Sequence, residues 1–237
     1  KRSIPMSHNK QLSTTYPMSV YLFASPVYWP DEEKRAEALR GVEAAMGISN
    51  STNWNVTHID SQEAADLATQ NGDDAPCVVV ALSGGVQPWM KQVCQSRQQL
   101  AIFNAYLPEA LPLPLSGQLM HANAHPSSTD FFAACRIEGK QVRWLCSTQE
   151  VLDYACAWQA ASRLKSARFL KVGETEPWVI NSCRDPQTIA DTIGCDVIPV
   201  EREALYKVYE TISDKEATSE AKRWNDRSDH LVNISYS

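Results

Sequence analysis

The chain has 237 residues, of which 43% are hydrophobic and 21% charged, the balance of an ordinary soluble globular protein. Its net charge of −6 argues against a nucleic acid or an anionic membrane as the main partner. No segment approaches the ~20 consecutive apolar residues that span a bilayer. The basic N-terminus also lacks the apolar stretch of a signal peptide.

The cysteines indicate a compartment. There are seven of them, with no CxxC pair, and most fall in predicted strands and helices. This pattern is typical of small buried side chains in a reducing environment, so we expect a cytoplasmic protein.

The first part of the chain alternates between strands and helices. Residues 1–17 are polar and are expected to form a flexible arm. A loop containing four prolines is predicted between Pro108 and Pro126. The hydrophobic pattern predicts strands at Val20–Ala24, Trp54–Ile59, Cys77–Leu82, Leu100–Tyr106 and Gln141–Leu145, and helices at Asp31–Met46, Ser61–Gln70, Gln87–Gln98, Ser128–Arg136 and Thr148–Leu164.

A second cycle begins after residue 166. It is predicted to contain strands Arg168–Val172 and Asp196–Val200, a helix Pro186–Ile193 ended by Gly194, and one long helix Arg202–Trp224. The alternation predicts an α/β protein with a flavodoxin-like or Rossmann-like parallel sheet and helices on both faces. We expect a first domain over residues 18–166 and the beginning of a second α/β domain over 167–237. Because the chain starts without methionine and stops directly after a polar helix, we expect a fragment of a longer protein.

Two loops are candidates for ligand binding. In a flavodoxin-like strand order, ligands bind at the carboxyl ends of the first and third strands, where the winding direction reverses. The loop after the first strand carries Tyr28 and Trp29, and the loop after the third carries Gln87 and Trp89. Aromatic faces beside hydrogen-bonding groups suit a polyol such as a sugar. The structural alternative is that each tryptophan covers the core.

A histidine pair lies before the predicted helix Ser128–Arg136. His121 and His125 are spaced as two metal ligands on one helical face would be, but Pro126 argues against a regular helix there. No HExxH glutamate or cysteine pair completes a tetrahedral site. We therefore expect no metal ligand in this segment, and assign His125 and Asn123 to hydrogen bonding with a substrate hydroxyl or to stabilising the loop.

The loop after the third strand could instead bind a phosphate. Gly84 and Gly85 precede a predicted helix, whose N-terminus attracts anions. Neither a GxGxxG fingerprint nor a Walker lysine accompanies them. A nucleotide-binding domain is therefore the third reading, and a tight turn explains the glycines better.

The order of elements and three loops resemble the L-fucose isomerase/L-arabinose isomerase family. The loops are SPVYWP, LSGGVQPWM and MHANAHPSSTDF. In the last of these, Ala124-His125 matches an Ala-His pair of the arabinose isomerase pattern. Pro126 stands where that pattern has glycine, and the neighbouring glutamine is missing. The resemblance covers the N-terminal domain and the entry into the middle domain.

The resemblance implies an aldose–ketose isomerase that uses a divalent metal, usually manganese. It places the metal ligands and acid–base carboxylates in regions outside this chain, so the chain alone is expected to be inactive. It also implies a homotrimer or hexamer in which this domain closes the active site of a neighbouring subunit, and it makes the protein's own C-terminal region a further partner. The substrate-contacting residues would be Tyr28, Trp29, Gln87, Trp89, Asn123 and His125. The alternative function is a non-catalytic sugar-binding or regulatory module with the same fold.

Overall fold

A computed structural model describes residues 18–47, 54–70, 75–174 and 185–226. The predicted arm, residues 1–17, lies outside these ranges. The strands are β1 Met18–Phe23, β2 Trp54–Ile59, β3 Cys77–Ala81, β4 Gln99–Phe103, β5 Gln141–Leu145, β6 Arg168–Val172 and β7 Asp196–Val200. The helices are α1 Glu32–Ala45, α2 Gln62–Gln70, α3 Gln87–Val93, α4 Leu115–His121, α5 Ala124–Ile137, α6 Thr148–Ser166, α7 Pro186–Ile193, α8 Arg202–Thr211 and α9 Asp214–Asn225.

Five parallel strands form the main sheet in the order β2-β1-β3-β4-β5. The chain therefore winds outward from β1 to β2, crosses back to β3 and continues through β4 to β5. Val20 of β1 stands opposite Val56 of β2 on one side and Val78 of β3 on the other. This arrangement confirms the predicted flavodoxin-like fold and puts the reversal of winding between β1 and β3.

Both faces of the sheet are buried. Along β1, Val20 and Leu22 point into one core cluster, whereas Tyr21 and Phe23 point into the other. Residues of α1 and α6 cover the first face, and residues of α2, α3 and α5 cover the second. A strand buried on both sides has to be apolar throughout, which explains the uninterrupted run in β3.

The proline-rich segment is not the long loop that the sequence predicts, because it contains α4 and the beginning of α5. Pro114 is the N-cap of α4, and Pro126 lies in the first turn of α5. A proline without an N–H fits these positions, since the first N–H groups of a helix have no partner within it. Here two of the prolines mark helix starts.

Helix α3 ends at Val93, earlier than the predicted Gln98. Beyond its end, the buried ammonium of Lys140 donates to the carbonyl of Cys94 at 2.6 Å and to that of Gln95 at 3.0 Å. A cation at a helix C-terminus satisfies carbonyls that would otherwise need a further turn. The lysine directly precedes β5, far from α3 in the chain, so the helix sequence alone does not reveal this end.

The chain divides into two compact units, one up to residue 160 and one from residue 161. In the second unit, β6 and β7 form a two-stranded parallel sheet. The predicted domain boundary at residue 166 stays a prediction. No helix in the described ranges has the length and apolar character needed to cross a membrane.

The predicted long helix Arg202–Trp224 is two helices. Ile212 has an extended backbone, and Ser213 begins α9 with a capping box: its hydroxyl oxygen accepts from the N–H of Glu216, whose carboxylate accepts from the N–H of Ser213 at 3.0 Å. The Ser-x-x-Glu spacing that produces this box is visible in the sequence, so the break was open to prediction.

Replacing Ser213 with alanine should loosen the start of α9. Loss of an N-cap serine costs about 1 kcal/mol. We expect the backbone amides of the first turn of α9 to exchange with deuterium about fivefold faster, measured by hydrogen exchange. Ser219→Ala, in the middle of the same helix, is the control and should leave this exchange unchanged. Equal exchange in S213A and the native chain would contradict the capping assignment.

Candidate functional site

Two buried serines hold the carboxyl ends of β1 and β3 together. The N–H of Ser25 donates to Oγ of Ser83 at 2.8 Å, and the Ser83 hydroxyl donates to the carbonyl of Gly84 at 3.1 Å. Ser25 Oγ in turn accepts from the N–H of Val27 at 3.3 Å. Because strand pairing ends here, these hydroxyls satisfy backbone groups that the ladder no longer serves. The two loops are thereby fixed to each other.

Tyr28 lies directly on the backbone of Gly84. A Cβ atom added at Gly84 would stand 2.7 to 2.8 Å from Cζ, Cε2 and the hydroxyl oxygen of Tyr28, closer than side-chain atoms pack. Gly84 is therefore required for the close approach of the ring. Gly85 has a φ of +74° and is required for the turn. Both glycines have a structural role in this turn, and 40% of Tyr28 remains exposed.

The junction of α4 and α5 joins the same edge. The carbonyl of Ala122 accepts from the N–H of Gly84 at 2.7 Å. Asn123 has a left-handed backbone with φ +61°, and its side-chain amide donates to the Tyr28 hydroxyl at 3.2 Å. The three loops selected from the sequence therefore meet, and the meeting point is the reversal of winding between β1 and β3.

His125 is exposed in the first turn of α5. Its ring contacts Tyr106 edge-on, with centroids 5.0 Å apart and planes at 61°. Tyr106 itself is buried, and burial raises the pKa of its hydroxyl to about 12. The imidazole therefore packs against a buried aromatic ring, two residues after Asn123 in the chain.

The two histidines do not share a helical face. His121 is the last residue of α4, and the left-handed Asn123 separates it from His125 in α5. No three histidine, cysteine or acidic side chains come together as a metal site within the described ranges. Tyr28, Asn123 and His125 offer a phenol, an amide and an imidazole but no carboxylate, a usual manganese ligand.

Trp29 is anchored on the other side of the same loop. Its indole Nε1 donates to the carbonyl of Leu82 at 3.1 Å, and its own carbonyl accepts from Arg35 at 2.7 Å. Arg35 also pairs with Asp60 at 3.2 Å. The ring is half-buried against the core on the α1 face. Trp29 therefore covers part of the core, as the structural alternative proposed for the tryptophans predicts.

Trp89 takes part in the contact between α2 and α3. Its indole donates to Oε1 of Gln62 at 3.1 Å, and Gln62 also donates to Asp66 and Gln92. The described contacts of Trp89 do not reach Tyr28 or Asn123. Gln87 stands half-buried at the start of α3. Sugar contact by either residue stays a prediction.

Asn104 is a polar residue that sequence reasoning missed. It follows β4 and is fully buried, and its side-chain amide donates to the carbonyl of Leu145 at 2.9 Å. Its Oδ1 atom has no hydrogen-bond partner among the described residues, and neither do the hydroxyls of Ser127 and Ser128 in α5. An asparagine at the end of an apolar strand was the available signal.

Comparison with known proteins adds no relative. No protein-family model matches the chain, and no curated protein sequence is significantly similar to it.

Replacing Gly84 with alanine should displace Tyr28. The new Cβ would overlap the ring, which can swing toward solvent, and the bond from Asn123 would be lost. We expect a clear change in the Tyr28 ring signals by NMR. Gly117→Ala is the matched control, because its Cβ would meet only Leu113 Cδ2 at 3.5 Å, an ordinary contact. Unchanged Tyr28 signals in G84A would contradict the described packing.

Proposed function

We propose that the first unit binds a small neutral polyol, a sugar, at the carboxyl ends of β1 and β3. The observation that carries the proposal is the hydrogen bond between Asn123 and Tyr28, made where Gly84 and Ala122 join their loops. It brings an exposed phenol and an amide together at the place where open parallel sheets bind ligands.

The groups at this edge are neutral and versatile. The Tyr28 hydroxyl donates and accepts, the Asn123 amide offers a carbonyl oxygen beside its NH₂, and the imidazole of His125 offers ring nitrogens. Sugar hydroxyls also donate and accept, so they match such a set. A phosphate would favour cationic groups or a phosphate-binding glycine loop, and the sequence around Gly84 and Gly85 has neither a GxGxxG fingerprint nor a Walker lysine.

The proposal includes the isomerase activity that the family resemblance implies. The chain would be the substrate-contacting part of an aldose–ketose isomerase, acting in the cytoplasm as a trimer or hexamer. A divalent metal bound by regions outside this chain would polarise the sugar's carbonyl and hydroxyl oxygens. The residues described here would hold and orient the sugar. The free thiols of the described cysteines are consistent with a reducing compartment.

Sugar binding should depend on the Tyr28–Asn123 pair. We expect Tyr28→Phe and Asn123→Gly each to weaken binding about two- to tenfold, the range for one neutral hydrogen bond of about 0.5–1.5 kcal/mol. Glycine is chosen at position 123 because it tolerates the left-handed backbone. The measurement is calorimetric titration with L-fucose, L-arabinose and D-arabinose.

Tyr209→Phe is the control for this titration, because it removes a phenol hydroxyl from an exposed tyrosine of α8 in the other unit. It should leave the affinity unchanged. Absence of binding by all three sugars, or equal affinity in the native chain, Y28F and N123G, would overturn the proposed site.

A manganese-dependent isomerase assay separates the catalytic reading from a non-catalytic module. We expect ketose formation by a protein that continues beyond residue 237, and none by the 237-residue chain. Sugar binding by the longer protein without turnover would favour a regulatory or binding module. Turnover by the 237-residue chain would contradict the placement of the metal outside it.

A further inference from the structure

A groove of about 320 Å³ lies between α1 and α4, on the α1 side of Trp29. Its lining is formed by Trp29, Lys34, Glu37, Ala38, Gly41, Pro114, Leu115 and Gln118. We propose that this groove is a saccharide site in its own right, holding one sugar ring against the indole of Trp29. The site is separate from the Tyr28–Asn123 pair and goes beyond the proposed function.

The groove follows from the spacing of residues on α1. Lys34, Glu37, Ala38 and Gly41 recur at intervals of three and four, so they form one stripe along the helix. Gly41 allows α4 to approach, because a Cβ there would stand 2.8 Å from Cδ2 of Leu115. Between α1 and α4, the small side chain of Ala38 leaves space for the groove.

Trp29 forms one side of the groove and is held in place by hydrogen bonds within the protein. Its indole N–H is already bonded to Leu82, and its carbonyl to Arg35. The polar atom of the ring is therefore engaged with the protein, and the ring orientation is fixed before a ligand arrives. A fixed aromatic surface lowers the ordering cost of binding. It suits the C–H face of a sugar ring better than it suits a hydrogen-bonding group.

The polar groups of the rim select the ligand class. Lys34 donates, Glu37 accepts and Gln118 does both, and all three are exposed. One positive and one negative charge leave the rim neutral, so an anion attracted by Lys34 would meet Glu37. The volume is at the low end of the ~300–1,000 Å³ typical of ligand pockets. A single neutral ring carrying several hydroxyls satisfies all of these constraints.

The test follows the indole N–H signals of the intact chain by two-dimensional ¹⁵N NMR. The chain has seven tryptophans, and Trp29→Phe identifies the signal of Trp29 by its loss. The probe is L-fucose, a galacto-configured sugar with a continuous C–H face. We expect a saturable shift of the Trp29 signal, with the other indole signals serving as a check that the fold is intact.

Two substitutions on the rim should affect that titration, each with a matched control. Gln118→Phe fills the groove and should weaken binding at least tenfold, whereas Met120→Ala on the same helix lies outside the lining and should have no effect. Glu37→Gln should weaken binding about two- to fivefold through the loss of a charged acceptor. Glu33→Gln, one turn earlier on α1, should not. If W29F does not fold, the signal that responds in the native chain and not in Q118F serves in its place.

Three outcomes would overturn the second site. The first is the absence of any shift of the Trp29 signal up to 100 mM L-fucose. The second is an unchanged titration in Q118F, and the third is tighter binding of a free amino acid than of the sugar. Tyr28→Phe and Asn123→Gly separate the two sites. A Trp29 titration that persists in both variants supports an independent groove, and one that disappears in either assigns the shift to the first site and overturns this proposal.

Discussion

The pairing of β1 with both β2 and β3 is the constraint on which the rest of the first unit depends. All six residues of β1 are buried, with alternate side chains in the two core clusters. Because β1 has a parallel neighbour on each side, the chain must leave one edge and cross to the other. The connection after β1 leads toward β2 and the connection after β3 leads toward β4, so the reversal of winding lies at the carboxyl ends of β1 and β3.

Small residues convert that opening into a defined surface. Ser25 and Ser83 join the loops after β1 and β3 through backbone and hydroxyl groups, and Gly84 lets Tyr28 pack closely against the loop after β3. The loop after β1 also carries Trp29, which packs on the α1 face. Two neighbouring aromatic residues therefore serve two different places. Tyr28 reaches the α4–α5 junction, and Trp29 forms a wall of the groove beside α1.

Part of the site could be predicted from local patterns in the sequence. Buried apolar runs located β1 and β3, and the strand order then identified their loops as the ligand edge. Tyr28, Asn123 and His125 could be selected on that basis. Their contacts could not, because the bond from Asn123 to Tyr28 joins residues far apart in the chain. The hydrogen bond from Trp89 to Gln62 could not be predicted for the same reason.

The sequence by itself determined the alternation of strands and helices and the apolar strands of a doubly buried sheet, since each depends on a local pattern of residues. It also carries the Ser-x-x-Glu signal of the break before Ser213, although the hydrophobic pattern predicted one helix over Arg202–Trp224. Only the tertiary structure decided where α3 stops, because Lys140 lies just before β5, far from α3 in the chain. It alone also decided that Asn123 meets Tyr28 and that Gly41 admits Leu115. These contacts depend on the packing of distant segments, and packing is set by the whole core rather than by local propensity.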